Sequence, residues 1–75
     1  MRTYPSGELA DEARGRLAEL KERRAEHEYR IAQFYEQRRH PVSARLYYAA
    51  IVDEYALTSW TPKAAARIGV LEQKL

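Results

Sequence analysis

A chain of 75 residues makes one domain at most, and a domain this small buries only about 60% of the surface its unfolded form exposes. Its 13 Lys+Arg against 11 Asp+Glu leave a net charge of +2, with both signs interleaved, which reads as a solvated helical surface and excludes the strongly basic footprint of a dedicated nucleic-acid binder. With no cysteine, one methionine and two histidines, the chain offers neither a disulfide framework nor a thiolate metal site. Between Met1 and Gly7 only Met1 and Tyr4 are large and apolar, so no targeting signal, lipid-attachment site or membrane span is expected within these residues.

The first element follows the Pro5-Ser6-Gly7 punctuation. From about residue 8 to residue 39 no proline intervenes, and Ala, Leu, Glu, Arg and Gln dominate, all strong helix formers. One helix of about 32 residues would be roughly 48 Å long at 1.5 Å per residue. Spacings of three and four give a seam through Ala10, Ala13, Leu17, Leu20, Arg24, His27, Ile31, Phe34 and Arg38. Its middle is charged, which predicts two buried ends joined by a wetter centre, each end packing on a different neighbour. Gly15 costs about 1 kcal/mol relative to Ala in a helix, so a bend or a close helix approach is expected there. His27, between Glu26 and Glu28, is read as a seam histidine held by a carboxylate. Neighbouring helix positions point apart, which argues against a metal site.

His40-Pro41 ends the pattern, because the residue before proline is pushed out of α geometry and proline suits a first helical turn. A second helix is predicted from about residue 42 to residue 55. Its stripe is Ala44, Tyr48, Ile51 and Tyr55, flanked by Tyr47 and Val52. A third helix is predicted from about residue 59 to residue 73. Thr58 is its expected N-cap, preferred over a start at Thr61-Pro62 because Trp60, Ala64, Ile68, Leu71 and Leu75 then form one unbroken stripe.

The two ends of the chain repeat one another. Tyr4, Leu9, Ala13, Arg16, Leu17 and Leu20 recur 51 positions later as Tyr55, Trp60, Ala64, Arg67, Ile68 and Leu71. Units that stack on neighbours produce this signature, since a single helical hairpin cannot bury its own apolar face. The chain reads as an all-α, helix-turn-helix module over residues 1–75, a fragment or one period of a longer array.

The segment AEHEYRIAQFYEQRRHPVSARLYYAAIVDEY resembles a tetratricopeptide repeat. Ala32 and Ala44 stand at the two small positions where helices cross, and Tyr35 and Tyr48 at the aromatic positions that fill between them. The flanking text YPSGELADEARGRLAELKERRAEHEYRIAQFY is similar to the long-helix repeat of the BamD family, lipoproteins of the bacterial outer-membrane β-barrel assembly machinery. The likeness runs from Tyr4 to Leu71 and departs at turns and at the wet part of the long helix. Arg39 stands where the family's turn has Gly, His40-Pro41 where Asp or Ala and an aromatic are common, Ala56 where a turn Pro is usual, and Arg24 where Leu is.

This resemblance implies a non-enzymatic scaffold that binds protein or peptide at the inner, periplasmic face of the outer membrane. It also implies a concave groove lined by the outer residues of the first helix, here Glu26, Tyr29, Gln33, Glu36 and Gln37. Mixed amides and carboxylates with one aromatic suit hydrogen bonding to a polypeptide. No catalytic residues, cofactor, metal or small-molecule substrate are expected. Ser6, Ser43 and Ser59 lie at turns or helix starts, without the neighbouring base that nucleophilic catalysis needs.

Two other functions fit the residues. The duplicated ends leave apolar stripes that could pair between copies, giving a homo-oligomer. Arg23, Arg24, Arg30, Arg38, Arg39 and Arg45, with tyrosines close by, could serve a nucleic-acid adaptor. Glu19, Glu22, Glu26, Glu28 and Glu36 share that stretch and weigh against the second. Pairs such as Glu19 with Arg23 and Glu26 with Arg30 have the spacing of solvated intrahelical ion pairs.

Overall fold

The computed structural model describes residues 6–74, with side chains described for residues 11–73. Leu75, the end of the expected third stripe, and the Tyr4-Pro5 turn lie outside the described residues. Three α-helices follow one another: α1 (Ser6–Gln37), α2 (Pro41–Glu54) and α3 (Thr61–Lys74). α1 packs on α2 and α2 on α3. No strand occurs among the described residues, and the all-α architecture with a long first helix is the one the sequence implies. α1 makes the molecule long and narrow, 60 × 17 × 14 Å.

α1 stops because Arg39 turns left-handed, with φ 62°. The Arg39 N–H donates to the Glu36 carbonyl at 3.1 Å and the His40 N–H to the Tyr35 carbonyl at 2.9 Å, the paired bonds of a Schellman motif. The Tyr35 and His40 rings meet edge to face at 6.3 Å, supplying the side-chain contact that accompanies that motif. Pro41 then opens α2, and the His40 carbonyl accepts the Ala44 N–H at 3.0 Å.

The start of α3 differs from the sequence expectation. Thr58 is not its N-cap. The Thr58 hydroxyl donates to the Tyr55 carbonyl at 2.8 Å, and the Thr61 hydroxyl donates to the same oxygen at 2.7 Å. Thr58 is thus committed to closing the end of α2. The helix begins at Thr61 with Pro62 in its first turn, where a missing N–H costs nothing. The Trp60 carbonyl accepts the Ala64 N–H at 2.8 Å. Trp60 stands outside the helix and still packs against the core, so its burial did not require a helical backbone.

The core is Ala25, Ala32, Ala44, Tyr48, Ile51, Ala64 and Leu71, with Tyr29, Tyr35, Tyr47, Val52, Tyr55, Trp60 and Ile68 packed around it. Ala32 and Ala44 are both fully buried. The second half of the long-helix seam is displaced from expectation: Arg24, His27, Phe34 and Arg38 are exposed, while Ala25 and Ala32 are buried in the core. Close approach of two backbones selects alanine over bulk. Phe34, 49% exposed, instead carries the Arg38 guanidinium over its ring at 4.3 Å.

The other end of α1 is bare. Every described residue from 11 to 21 is exposed, Leu17 and Leu20 included. The apolar end therefore has no cover among the described residues. A Cβ on Gly15 would meet nothing within 4 Å, so the close helix approach expected there does not occur among them either.

Candidate functional site: the groove between α1 and α3

Where Arg67 of α3 reaches Glu36 of α1 beside Tyr48 of α2, a cavity of about 330 Å³ opens. It is lined by Tyr29, Gln33, Glu36, Gln37, Tyr48 and Arg67. Four of the five residues expected from the first helix are thereby brought together. The fifth, Glu26, does not line it and instead accepts the Arg30 guanidinium at 2.6 Å, one turn along α1.

The floor is aromatic. Tyr29 meets Tyr48 edge to face at 5.2 Å and Trp60 at a tilt at 5.0 Å, both within the favourable range for ring pairs. Lys63 lies 4.3 Å over the Trp60 ring. Tyr29 is therefore half-buried structure as much as surface.

One wall is a polar network. The Tyr48 hydroxyl donates to Glu36 Oε1 at 2.8 Å. Arg67 Nε donates to the same oxygen at 3.2 Å, and a terminal nitrogen of its guanidinium donates to Oε2. Glu36 thus receives a two-point guanidinium contact, the strongest geometry available to that pair. Burial, and secondarily the neighbouring Tyr29, pushes the Tyr48 hydroxyl up to about 12. Its proton stays in place to satisfy the carboxylate. With its oxygens so engaged, Glu36 orders the wall, and Gln33 and Gln37, both exposed, are the groups that face the groove uncommitted.

Sequence reasoning missed two contributors, Tyr48 Oη and Arg67. Tyr48 was read as core, correctly, but its buried hydroxyl also donates to Glu36 in the groove wall. Arg67 was visible as the recurrence of Arg16 in the 51-residue repeat, a signal that marked a position with a task.

Three of the six arginines near the hairpin are engaged by other side chains, while Arg23, Arg24 and Arg39 are exposed. Arg30 pairs with Glu26, Arg45 with Glu72 on α3 at 2.9 Å, and Arg38 covers Phe34. Glu19 and Arg23 form no ion pair, unlike the expectation from their spacing, whereas Glu26 and Arg30 do. His27 is exposed and has no carboxylate hydrogen bond, contrary to the expected seam histidine. Among the described residues no group of three His, Cys, Asp or Glu could hold a metal ion, and no helix is long and apolar enough to cross a membrane.

Neither a curated protein nor a solved structure matches the chain. A family profile does, that of YfiO, described as an outer membrane lipoprotein, and it covers residues 1–75. Full coverage by that profile agrees with the motifs running from the long helix through the tyrosine-rich hairpin, and the chain belongs to the YfiO family of outer membrane lipoproteins.

Proposed function

We propose that the chain is a non-enzymatic protein-interaction scaffold within an outer-membrane assembly lipoprotein, working at the periplasmic face of the outer membrane. It holds a polypeptide in the groove between α1 and α3 and does not alter it chemically. The observation that carries this reading is the convergence of Tyr29, Gln33, Glu36 and Gln37 with Tyr48 and Arg67 around one cavity.

Gln33 and Gln37 are one helical turn apart, a rise of about 6 Å at 1.5 Å per residue. Alternate residues of an extended chain are spaced by about 6.6 Å. Two carboxamides at that interval, each able to donate and accept, can engage successive same-side peptide groups of an extended segment. The aromatic floor gives the segment an apolar surface to lie on. Membership of an outer membrane lipoprotein family and the BamD-like motifs agree with that task and that location.

The test is a pull-down from bacterial envelope extract with the parent chain and a Gln33→Ala, Gln37→Ala variant. Both changes are at exposed positions, so the variant keeps its fold, which circular dichroism checks. Loss of the recovered polypeptides with the variant supports the groove. Equal recovery removes it as the binding surface, and recovery of nucleic acid in place of protein overturns the scaffold reading in favour of the arginine-rich one.

A further inference from the structure

The turn between α1 and α2 carries charge of one sign. From Gln37 to Val52 there is no acidic residue, while Arg38, Arg39 and Arg45 are cationic. Farther back along α1 the two signs alternate closely enough to pair within the helix, as Arg14 does with Asp11, Arg16 with Glu12 and Arg30 with Glu26. At the turn only Arg45 finds an acid, Glu72 of α3. Arg38 and Arg39 are exposed and form no ion pair among the described residues.

Apolar surface stands beside them. Val42, 62% exposed, and Leu46, 67% exposed, are one turn apart on α2, on the side of that helix opposite the buried Ala44, Tyr48 and Ile51. Exposed aliphatics scattered singly are ordinary. Two on one helix face, the first of them three positions after an unpaired arginine, make a mixed cationic and apolar edge. Arg39 adds a second observation, because its φ of 62° is a geometry that favours glycine, and the chain nevertheless puts a long cation there.

Such an edge suits one polyanionic surface better than another. A nucleic acid offers phosphates together with bases, and holding bases requires free ring faces. The rings at this turn are already engaged: Tyr35 and Tyr47 stack on each other at 5.6 Å, and the Phe34 ring carries Arg38. A bilayer of anionic phospholipid offers phosphates at one depth and hydrocarbon just beneath, which arginines and neighbouring aliphatics meet together.

We propose that Arg38, Arg39, Val42 and Leu46 form a peripheral contact with an anionic phospholipid bilayer. The two guanidiniums take headgroup phosphates, and the two aliphatic side chains enter the boundary between headgroups and acyl chains. Membership of an outer membrane lipoprotein family brings such a surface within reach. The contact decides which end of the long α1 lies against the membrane. None of the four residues lines the α1–α3 groove, so the contact stands or falls independently of the reading given to that groove.

The test is flotation of the full chain with vesicles of phosphatidylglycerol and phosphatidylethanolamine in equal parts, across a lipid titration at low salt, beside vesicles of phosphatidylcholine alone. Three variants are compared with the parent. Arg38→Glu, Arg39→Glu reverses the charge at the turn. Arg23→Glu, Arg24→Glu makes the same change of net charge elsewhere on α1, and Val42→Ser, Leu46→Ser removes the apolar pair at unchanged charge. All six positions are exposed, and circular dichroism checks that each variant folds.

The parent is expected to float with the anionic vesicles and not with the neutral ones. Reversal at the turn should lower the partition coefficient by about tenfold or more, given the attraction of each cation to an anionic surface. Reversal at Arg23 and Arg24 should lower it by less than about threefold, and the serine variant should lose about threefold or more. Equal loss in the two charge-reversed variants reduces the attraction to net charge and overturns the proposal. So does undiminished binding of the serine variant, or a parent that does not float. Retention of the parent on duplex DNA but not on vesicles, abolished by Arg38→Glu, Arg39→Glu, overturns it in favour of nucleic acid.

Discussion

Glu22 takes both the backbone N–H of Ser59, at 2.6 Å, and the Ser59 hydroxyl, at 2.7 Å, from 37 positions away. One carboxylate near the middle of α1 thereby fastens the turn that launches α3. The two Ser59 bonds, first the hydroxyl's and then the backbone's, hold the Glu22 carboxyl below its ordinary value of 4.5.

A depressed carboxyl stabilises the fold above its unfolded pKa, and that contribution is lost as pH falls through the depressed value. Glu22→Ala should therefore melt below the parent at neutral pH, and the gap should close in acid below the usual carboxylate range. Thermal melts by circular dichroism across pH 2 to 7, followed also by Trp60 fluorescence, check this. A gap that stays constant into strong acid would show that Glu22 acts through packing and not through its charge.

Arg39 carries a cost that the turn imposes. At φ 62° an L side chain crowds the following carbonyl, a penalty on the order of 1 kcal/mol that glycine does not bear. The arginine side chain is exposed, so little is lost with it. Arg39→Gly should raise the denaturation midpoint slightly, by up to about 0.5 kcal/mol of stability after the extra freedom of the unfolded glycine is counted. Arg39→Ala should give no such gain, since alanine keeps the Cβ. Chemical denaturation of the three proteins distinguishes the outcomes.

The places where the sequence was legible and where it was not divide along physical lines. Pro41, the Ala44–Tyr48–Ile51 stripe and the glycine-type position at Arg39 are local features, and each produced the local structure its chemistry requires. The seam through the second half of α1 did not follow from apolarity. Counting apolar bulk put Phe34 on the buried side, whereas close approach put Ala25 and Ala32 there, as the tetratricopeptide likeness implied for Ala32. Thr58 was misread because the carbonyl it satisfies belongs to the helix behind it and not to the one ahead.

The groove was legible only in the part that the resemblance supplied. Tyr29, Gln33, Glu36 and Gln37 were implied by the tetratricopeptide likeness, which assigns the outer positions of a unit's first helix to a groove, and they line one cavity. The links from Glu36 to Arg67 and from Glu22 to Ser59 cross 31 and 37 positions. No periodicity within a helix encodes them.

Ala32 and Ala44 test the crossing of α1 and α2 directly. Both are fully buried, so enlarging either to Leu forces off-rotamer side chains or backbone shifts. The cost of such overpacking is about 1–3 kcal/mol. Ala32→Leu and Ala44→Leu should each lower the melting temperature. Wild-type melting of both would show that the helices can separate at the crossing without loss, against the packing described.

The last prediction concerns Glu36 and the Tyr48 hydroxyl it accepts at 2.8 Å. Tyr48→Phe removes one hydrogen bond to a charged group and should cost about 1–2 kcal/mol. Glu36→Ala leaves that hydroxyl buried without its acceptor and Arg67 without its carboxylate. Arg67, with 36% of its side chain exposed, recovers part of its hydration, so the cost should stay near about 2 kcal/mol, below that of breaking a fully buried pair. The alkaline limb separates the roles. A hydroxyl raised to about 12 contributes stability fully below its unfolded value of 10.0, and that contribution is lost as pH climbs through about 12. The deficit of Tyr48→Phe relative to the parent should therefore be constant up to pH 10 and shrink above it, because phenylalanine has no proton to lose. Denaturation midpoints taken between pH 8 and 12, beside the tyrosinate absorbance at 295 nm, report both quantities. A deficit that did not shrink while Tyr48 ionised in the folded protein would detach the hydroxyl from the stability of the groove wall.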